Sequence, residues 1–301
     1  MTISQADVAR QVGIRGLRPH GTFFHTVINF ARRKPLGALG ALLLLGMAFI
    51  AVAAPVISPY DPLDVFASKR FSPPGGEFIL GTDHVGRDIL SRIFYGAQVS
   101  LYVGLLSVVI GTTAGSITGL ISGYFGGKVD AIIQRIVDTI MAFPILILAL
   151  LVVTVLGSSP NNVVIAVSVV LFPQGARIVR AAVLGIRQSE YVTAARVVGC
   201  KNARIMYLHI LPQCVAPYLV LATAQLGWAI VVEASLSFLG VGTPPPWPSW
   251  GNMLSGMSRM YIEQAPWLAI FPGVALSLTV FGVNILGDAL RDVLDPRLKR
   301  A

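Results

Sequence analysis

The chain has 301 residues, of which 54% are hydrophobic and 12% charged, and its net charge is +9. A soluble domain carries about 25% charged residues, so this composition excludes an ordinary soluble protein. A bilayer core about 30 Å thick needs roughly 20 apolar residues per helix. Uncharged blocks of that length recur along the sequence, which predicts an all-α protein that crosses the membrane several times.

Six membrane spans are predicted. The segment 1–35 precedes the first of them, which begins too far from Met1 and is too long for a cleaved signal peptide. The uncharged block Thr139–Ala176 is long enough for two crossings, with Gly157–Asn162 as the turn between them. The expected spans are 36–57, 98–123, 138–156, 163–182, 215–239 and 266–287. A loop with a short amphipathic helix from about Val85 is expected at 58–97, a five-helix core at 98–288 and a tail at 289–301.

The basic residues predict the orientation. If the N-terminus lies inside, 18 of the 23 lysines and arginines fall on the inner side, as the positive-inside rule requires. Both termini are therefore expected in the cytoplasm. The same rule accounts for the net charge without a nucleic-acid partner. Cys200 and Cys214 fall on this reducing side, where a disulfide is not expected, and no metal or cofactor site is predicted.

The longest polar connection between late spans, 185–212, is expected to form a helix, a turn and a second helix. Ser189 is a candidate N-cap, Gly199 a candidate break, and Pro212 a candidate end of the second helix. Val192, Ala195 and Gly199 would share one small, smooth face. The segment has no nucleophile–base pair, so it is either a docking surface or an ordinary basic loop.

Several motifs resemble one family of transporters. Ala194–Ala195, Gly199 and Ile210–Pro212 resemble the EAA loop of ABC importer permeases, with Thr193 in place of the acidic residue that often precedes the alanines. Four further stretches, in order, resemble the dipeptide, oligopeptide and nickel branch, and in particular its second permease subunit. They are "LGTDHVGRDILSRIFYGAQVSL" (Leu80–Leu101), "EASLSFLGVG" (Glu233–Gly242), "PSWGNML" (Pro248–Leu254) and "NILGDALRDVLDPRL" (Asn284–Leu298).

The resemblance implies a six-helix type I permease in the bacterial inner (plasma) membrane. It also implies a second homologous permease subunit, two cytoplasmic ATPases and an extracytoplasmic binding protein. ATP hydrolysis would then belong to the partners, and this chain would be non-catalytic. The residues implied to couple to the ATPases are Glu190, Tyr191, Thr193, Ala194, Ala195, Arg196, Gly199, Cys200, Lys201 and Pro212.

Two features and three alternatives remain open. Glu233 is a carboxylate inside a predicted span, so it either lines the translocation path or has a structural role. Gly111, Gly115, Gly119 and Gly123 form a ladder that favours close helix packing within the chain. The solute could be a peptide, a nickel chelate, glutathione or another small molecule. A self-sufficient secondary transporter would show inverted repeats, and a membrane-embedded enzyme would show clustered catalytic residues; neither pattern is evident.

Overall fold

The computed structural model describes residues 31–32, 34–256 and 260–294. Predictions for 1–30 and 295–301 lie outside the described residues. Within the described ranges the regular elements are helices and one short 3-10 turn. The helices are α1 Pro35–Ile57, α2 Ile89–Phe125, α3 Gly127–Met141, α4 Ile145–Leu156, α5 Pro160–Ile186, α6 Glu190–Val197, α7 Asn202–Phe238, α8 Trp250–Leu254 and α9 Trp267–Leu294.

Five helices are long and apolar enough to cross a membrane: α1, α2, α5, α7 and α9. Each coincides with one predicted span and extends beyond it by up to thirteen residues at one end. Helical hydrogen bonding satisfies most mid-helix peptide groups internally, which hydrocarbon requires. The prediction of an all-α membrane protein is confirmed.

The third predicted span, 138–156, is not one straight helix. Helices α3 and α4 meet at an angle of 92° across 142–144. Pro144 explains the break, because a proline disfavours helical backbone in the residue before it. Helix α4 has 12 residues and is therefore about 18 Å long, less than the bilayer core alone requires. The two carboxylates of α3 pair with arginines of α5: Arg180 binds Asp130 through two contacts of 2.6 Å, and Arg177 binds Asp138.

The glycine ladder of α2 brings this helix into backbone contact with α5. A Cβ atom at Gly111, Gly115 or Gly119 would lie only 2.1 to 2.5 Å from a carbonyl oxygen of α5. Real Cβ atoms do not approach that closely, so no larger residue fits. The oxygens concerned belong to Ser168, Phe172 and Ala176. The predicted close packing within the chain is confirmed, and α2 and α5 form one unit.

The bundle has two ends. The basic end holds α6 and the last turn of α2, and the opposite end holds 58–88 and 239–256. The short helix expected from about Val85 is not separate. The Asp88 carboxylate accepts the Ser91 N–H at 2.8 Å and caps α2, which then runs without a break to Phe125.

Candidate coupling segment and buried polar sites

The segment 187–210 begins with a two-turn helix at the basic end. Helix α6 starts at Glu190, as expected, with that carboxylate in its first turn. The prediction that the Ser189 side chain caps it is wrong. The Ser189 hydroxyl instead donates backwards to the carbonyl of Ile186 at 2.6 Å. That bond fixes the end of α5, so the two helices are joined by a tight corner.

Gly199 ends α6 in a Schellman motif. The Cys200 N–H donates to the Ala195 carbonyl at 3.0 Å, and the Gly199 N–H donates to the Arg196 carbonyl at 2.9 Å. Gly199 has φ +85°, and a Cβ there would meet open space. The requirement for glycine is therefore one of backbone conformation and not of room. The predicted glycine turn is confirmed.

The second helix of the segment does not end at Pro212, so that prediction is wrong. Helix α7 begins at Asn202 and continues through Pro212 to Phe238. The turn 205–210 just before the proline is π-helical. Proline has no N–H and its ring clashes with the carbonyl four residues back, and a widened turn accommodates both defects. The second helix of the segment and the membrane span that follows it are therefore one continuous helix, α7.

The face that carries Val192 and Ala195 is turned towards the chain's own core. Val192 is fully buried and packs in a cluster with Val183, Ile205 and Ile210, and Ala195 lies against the same cluster. The small, smooth face expected to meet a partner is therefore largely covered. The most exposed apolar side chains of the segment are others: Val197 is 83%, Val198 82% and Tyr207 70% exposed.

Tyr124, at the end of α2, ties the segment to the bundle. Its hydroxyl donates to Asn202 Oδ1 at 2.8 Å, and the Arg196 guanidinium lies 5.8 Å from the centre of its ring. Arg187 donates to the carbonyls of Gly123 and Tyr124 at 3.0 Å. Sequence reasoning did not single out Tyr124 or its contact with Asn202. A buried tyrosine hydroxyl needs a partner, and that is the signal that could have drawn attention to it.

The remaining residues predicted for coupling lie on or near the surface of this segment. Thr193 donates to the Ser189 carbonyl at 3.3 Å, and the Tyr191 hydroxyl donates to the His209 carbonyl at 3.4 Å. Cys200 is a half-buried free thiol. Those with exposed side chains are Glu190, Tyr191, Thr193, Ala194, Arg196 and Lys201.

Glu233 lies in the last turns of α7 and is fully buried. Its two carboxylate oxygens accept hydrogen bonds from Ser100 on α2, at 3.0 Å, and from Ser237, at 2.8 Å. The Ser237 oxygen in turn accepts the N–H of Thr243 at 3.2 Å. The carboxyl group therefore links α2, α7 and the segment that follows α7. A buried carboxyl needs such partners, whatever its further role.

Comparison with known proteins agrees with this architecture. Residues 115–300 match the family described as binding-protein-dependent transport system inner membrane component. Residues 22–74 match the N-terminal TM domain of oligopeptide transport permease C. In structure, the chain resembles the MetNI methionine ABC transporter in an inward-facing conformation, with a TM-score of 0.57 and 19% identity over 68% of this chain and 96% of that one. This last likeness supports the fold alone.

Curated relatives cover nearly the whole chain. A putative peptide transport system permease protein of Brucella suis is 44% identical, over 91% of this chain and 92% of its own. The di/tripeptide transport system permease protein of Pseudomonas aeruginosa is also 44% identical, over 91% of each chain. The dipeptide transport system permease protein of Escherichia coli is 44% identical over 94% of this chain and 95% of its own. The chain belongs to the family of binding-protein-dependent transport system inner membrane components, the permease subunits of ABC transporters.

Proposed function

We propose that this chain is a permease subunit of an ATP-driven importer of dipeptides or oligopeptides. The support is the similarity, end to end, to permeases named for peptide, dipeptide and di/tripeptide transport. In this proposal a second homologous permease completes the translocation path, two cytoplasmic ATPases supply the energy, and an extracytoplasmic binding protein delivers the solute. This chain performs no catalysis.

The segment 187–210 couples the chain to an ATPase. One observation carries this part of the proposal: five large hydrophobic side chains are exposed on a segment whose Val192 side is buried, namely Tyr191, Val197, Val198, Tyr207 and Leu208. Exposed apolar groups gathered around basic side chains mark a protein-binding surface. Val197 and Val198 lie at the end of α6, next to the Gly199 turn that fixes their position.

The movement of the ATPase reaches the spans by two routes. The first is the continuous helix α7, whose start at Asn202 belongs to the segment itself. The second is the contact between Tyr124 and the pair Asn202 and Arg196, which moves the end of α2. Because the glycine ladder leaves no space between α2 and α5, these helices shift as one body. Alternating access then follows from the rotation of this unit against the second permease.

Glu233 is a positioning residue for the opposite end of the bundle. The alternative, a direct role in the translocation path, requires it to face a solute, whereas it is enclosed by Ser100 and Ser237 in this conformation. Its hydrogen bonds hold the ends of α2 and α7 together where the connection to α8 begins.

In the proposed orientation the basic end lies in the cytoplasm. Val65 is 57% exposed in the loop 58–88 of the opposite end. In the Val65→Cys variant the thiol should react with an impermeant reagent applied to intact cells. Native Cys200 should react only after the membrane is opened. Labelling of Cys200 in intact cells would reverse the orientation.

The whole proposal is tested by reconstitution. The four kinds of subunit are placed in proteoliposomes, and uptake of a labelled dipeptide is followed with and without ATP. We expect uptake only with ATP and binding protein together. The purified chain alone should show no ATPase activity. If the assembly takes up a nickel chelate or glutathione and no peptide, the family holds and the proposed solute is wrong.

A further inference from the structure

A charged cavity lies at the opposite end of the bundle, between the loop 58–88 and the segment around α8. Its volume is about 260 Å³. Asp83, His84, Arg87 and Arg92 line the cavity, and apolar groups such as Ile89 and Leu268 supply an apolar wall. A cavity with an apolar wall and a few charged groups is the usual form of a small-molecule site. We call it the arginine cavity.

The charges of the arginine cavity do not balance. Asp83 is its single lining carboxylate within the described residues, and two guanidinium groups share it. Arg87 Nε lies 2.7 Å and Arg92 Nε 3.9 Å from Asp83 Oδ2. The side chains of Asp83, Arg87 and Arg92 are only 9%, 14% and 6% exposed. One positive charge is therefore left in a poorly hydrated place, which is costly unless an anion joins it.

Unused hydrogen-bond donors point to the same ligand. Arg92 Nη1 donates to the carbonyls of Pro62 and Pro246, at 3.1 and 3.4 Å, which fixes the guanidinium. Its Nη2 group makes no hydrogen bond within the described part of the chain, and neither nitrogen at the tip of Arg87 does. Burial, together with the neighbouring arginines, lowers the pKa of His84 and outweighs the opposing effect of Asp83. His84 therefore adds a neutral polar group and no negative charge.

We infer that the arginine cavity binds the carboxylate of an incoming solute, and, granted the proposed function, the C-terminal carboxylate of a peptide. Guanidinium groups bind carboxylates through paired, charge-assisted hydrogen bonds. The apolar wall accommodates the side chain next to that carboxylate. The cavity is then the first site at which the solute binds to the permease.

The test uses the complete assembly in lipid nanodiscs, without binding protein and with Cys200→Ser. His84→Cys places a thiol at the half-buried rim of the cavity, and its rate of labelling by an impermeant reagent is measured. Alanyl-alanine should slow the labelling saturably, and its C-terminal amide should not. Acetate and acetamide form a second pair that tests the carboxylate even if the solute is no peptide.

Two variants and one control test which groups of the cavity are needed for protection of the thiol. Arg87→Gln should raise the dipeptide concentration for half-maximal protection about tenfold, because a charge-assisted hydrogen bond is lost. Ser255→Leu should abolish protection by filling the cavity without a change of charge. Lys69→Gln removes a basic side chain of the same loop that pairs with Glu77 outside the cavity, and it should change nothing.

Several outcomes would overturn the inference. Equal protection by the amides would show that the carboxylate is not recognised. If binding protein added in a separate arm protects the thiol and no small carboxylate does, the cavity is a contact site for that protein and not a carboxylate site. Peptide uptake by the wild-type assembly is measured in parallel in proteoliposomes with ATP and binding protein, so that a failed protection experiment with normal uptake rejects this inference alone.

Discussion

The loop 58–88 and the segment 187–210 lie at opposite ends of the bundle and differ in how they pack their apolar side chains. The loop satisfies itself: Tyr60, Phe66 and Phe78 form an aromatic cluster, and Asp83 accepts hydrogen bonds from Val85 and Arg87. The segment buries one face through Val192 and leaves Val197 and Val198 almost fully exposed. The loop packs its aromatic side chains against one another, whereas the segment leaves its largest apolar groups uncovered. That difference supports the proposal that another protein binds at the segment.

The largest effect is expected from a charge placed on the exposed apolar surface of the segment 187–210. Val197→Asp should weaken binding of the ATPase about 100-fold, because an unpaired carboxylate in an interface costs several kcal/mol. Val65→Asp makes the same change on the exposed surface of the loop and should leave assembly intact. Co-purification of the ATPase with tagged permease measures both. Equal binding by both variants would contradict the proposed docking surface.

The next largest effect is expected from a substitution of Gly199 that its backbone conformation does not tolerate. Gly199→Val forces a β-branched residue to φ +85°, which costs about 1–3 kcal/mol and should displace α6 from its place. Uptake should fall about tenfold, with the amount of permease in the membrane unchanged. Gly199→Asn is the matched control, since asparagine tolerates this backbone conformation. Loss of uptake in both variants would mean that something other than φ selects glycine here.

The sequence predicts those features that depend on local chemistry or on bilayer thickness. Uncharged blocks locate five spans, since any charge within them would be expensive in hydrocarbon. The spacing of Gly111, Gly115 and Gly119 identifies a packing surface, because glycines four residues apart share one helix face. Gly199 is recognisable as a turn because glycine readily adopts the positive φ with which many helices end.

Features that depend on distant residues could not be predicted. The buried face of α6 is decided by the end of α5 and the first turns of α7, so the pattern of small residues gave the wrong outward face. The continuation of helix α7 through Pro212 depends on the π-helical turn before the proline. No reliable sequence signal exists for such a turn. Glu233 could be recognised as unusual, but its partner Ser100 lies 133 positions away in the chain.

A finer test asks whether the segment moves α2 through Tyr124. Tyr124→Phe removes the hydrogen bond to Asn202 and keeps the ring beneath Arg196. Loss of a bond worth about 1 kcal/mol should lower transport per ATP hydrolysed about fivefold. Tyr102→Phe is the matched control, because Tyr102 also donates from α2 to an asparagine, Asn161, at 2.9 Å, but away from the segment. Its effect should be negligible.

A double variant separates a direct link from general damage at this joint. If Tyr124 and Asn202 act through one hydrogen bond, Tyr124→Phe with Asn202→Ala should lose no more transport than the worse single variant. Additive losses would show that the two residues act separately. The coupling route through the end of α2 would then have to be abandoned.

The smallest expected effect is at Thr193, where the related loops often carry an acid. Thr193→Glu places a negative charge in the first half of α6, where the helix dipole favours it by about 0.3–1 kcal/mol. The new carboxylate also lies three residues from Glu190 and from Arg196, and these two interactions oppose one another. Uptake should therefore stay within about twofold of the parent chain. Thr193→Arg reverses every sign, adds to the positive charge of Arg196 and Lys201, and should lower uptake further than glutamate does. If glutamate were the more harmful of the two, the ATPase would present an acidic surface at this position, and the exposed apolar side chains would not be the main contact.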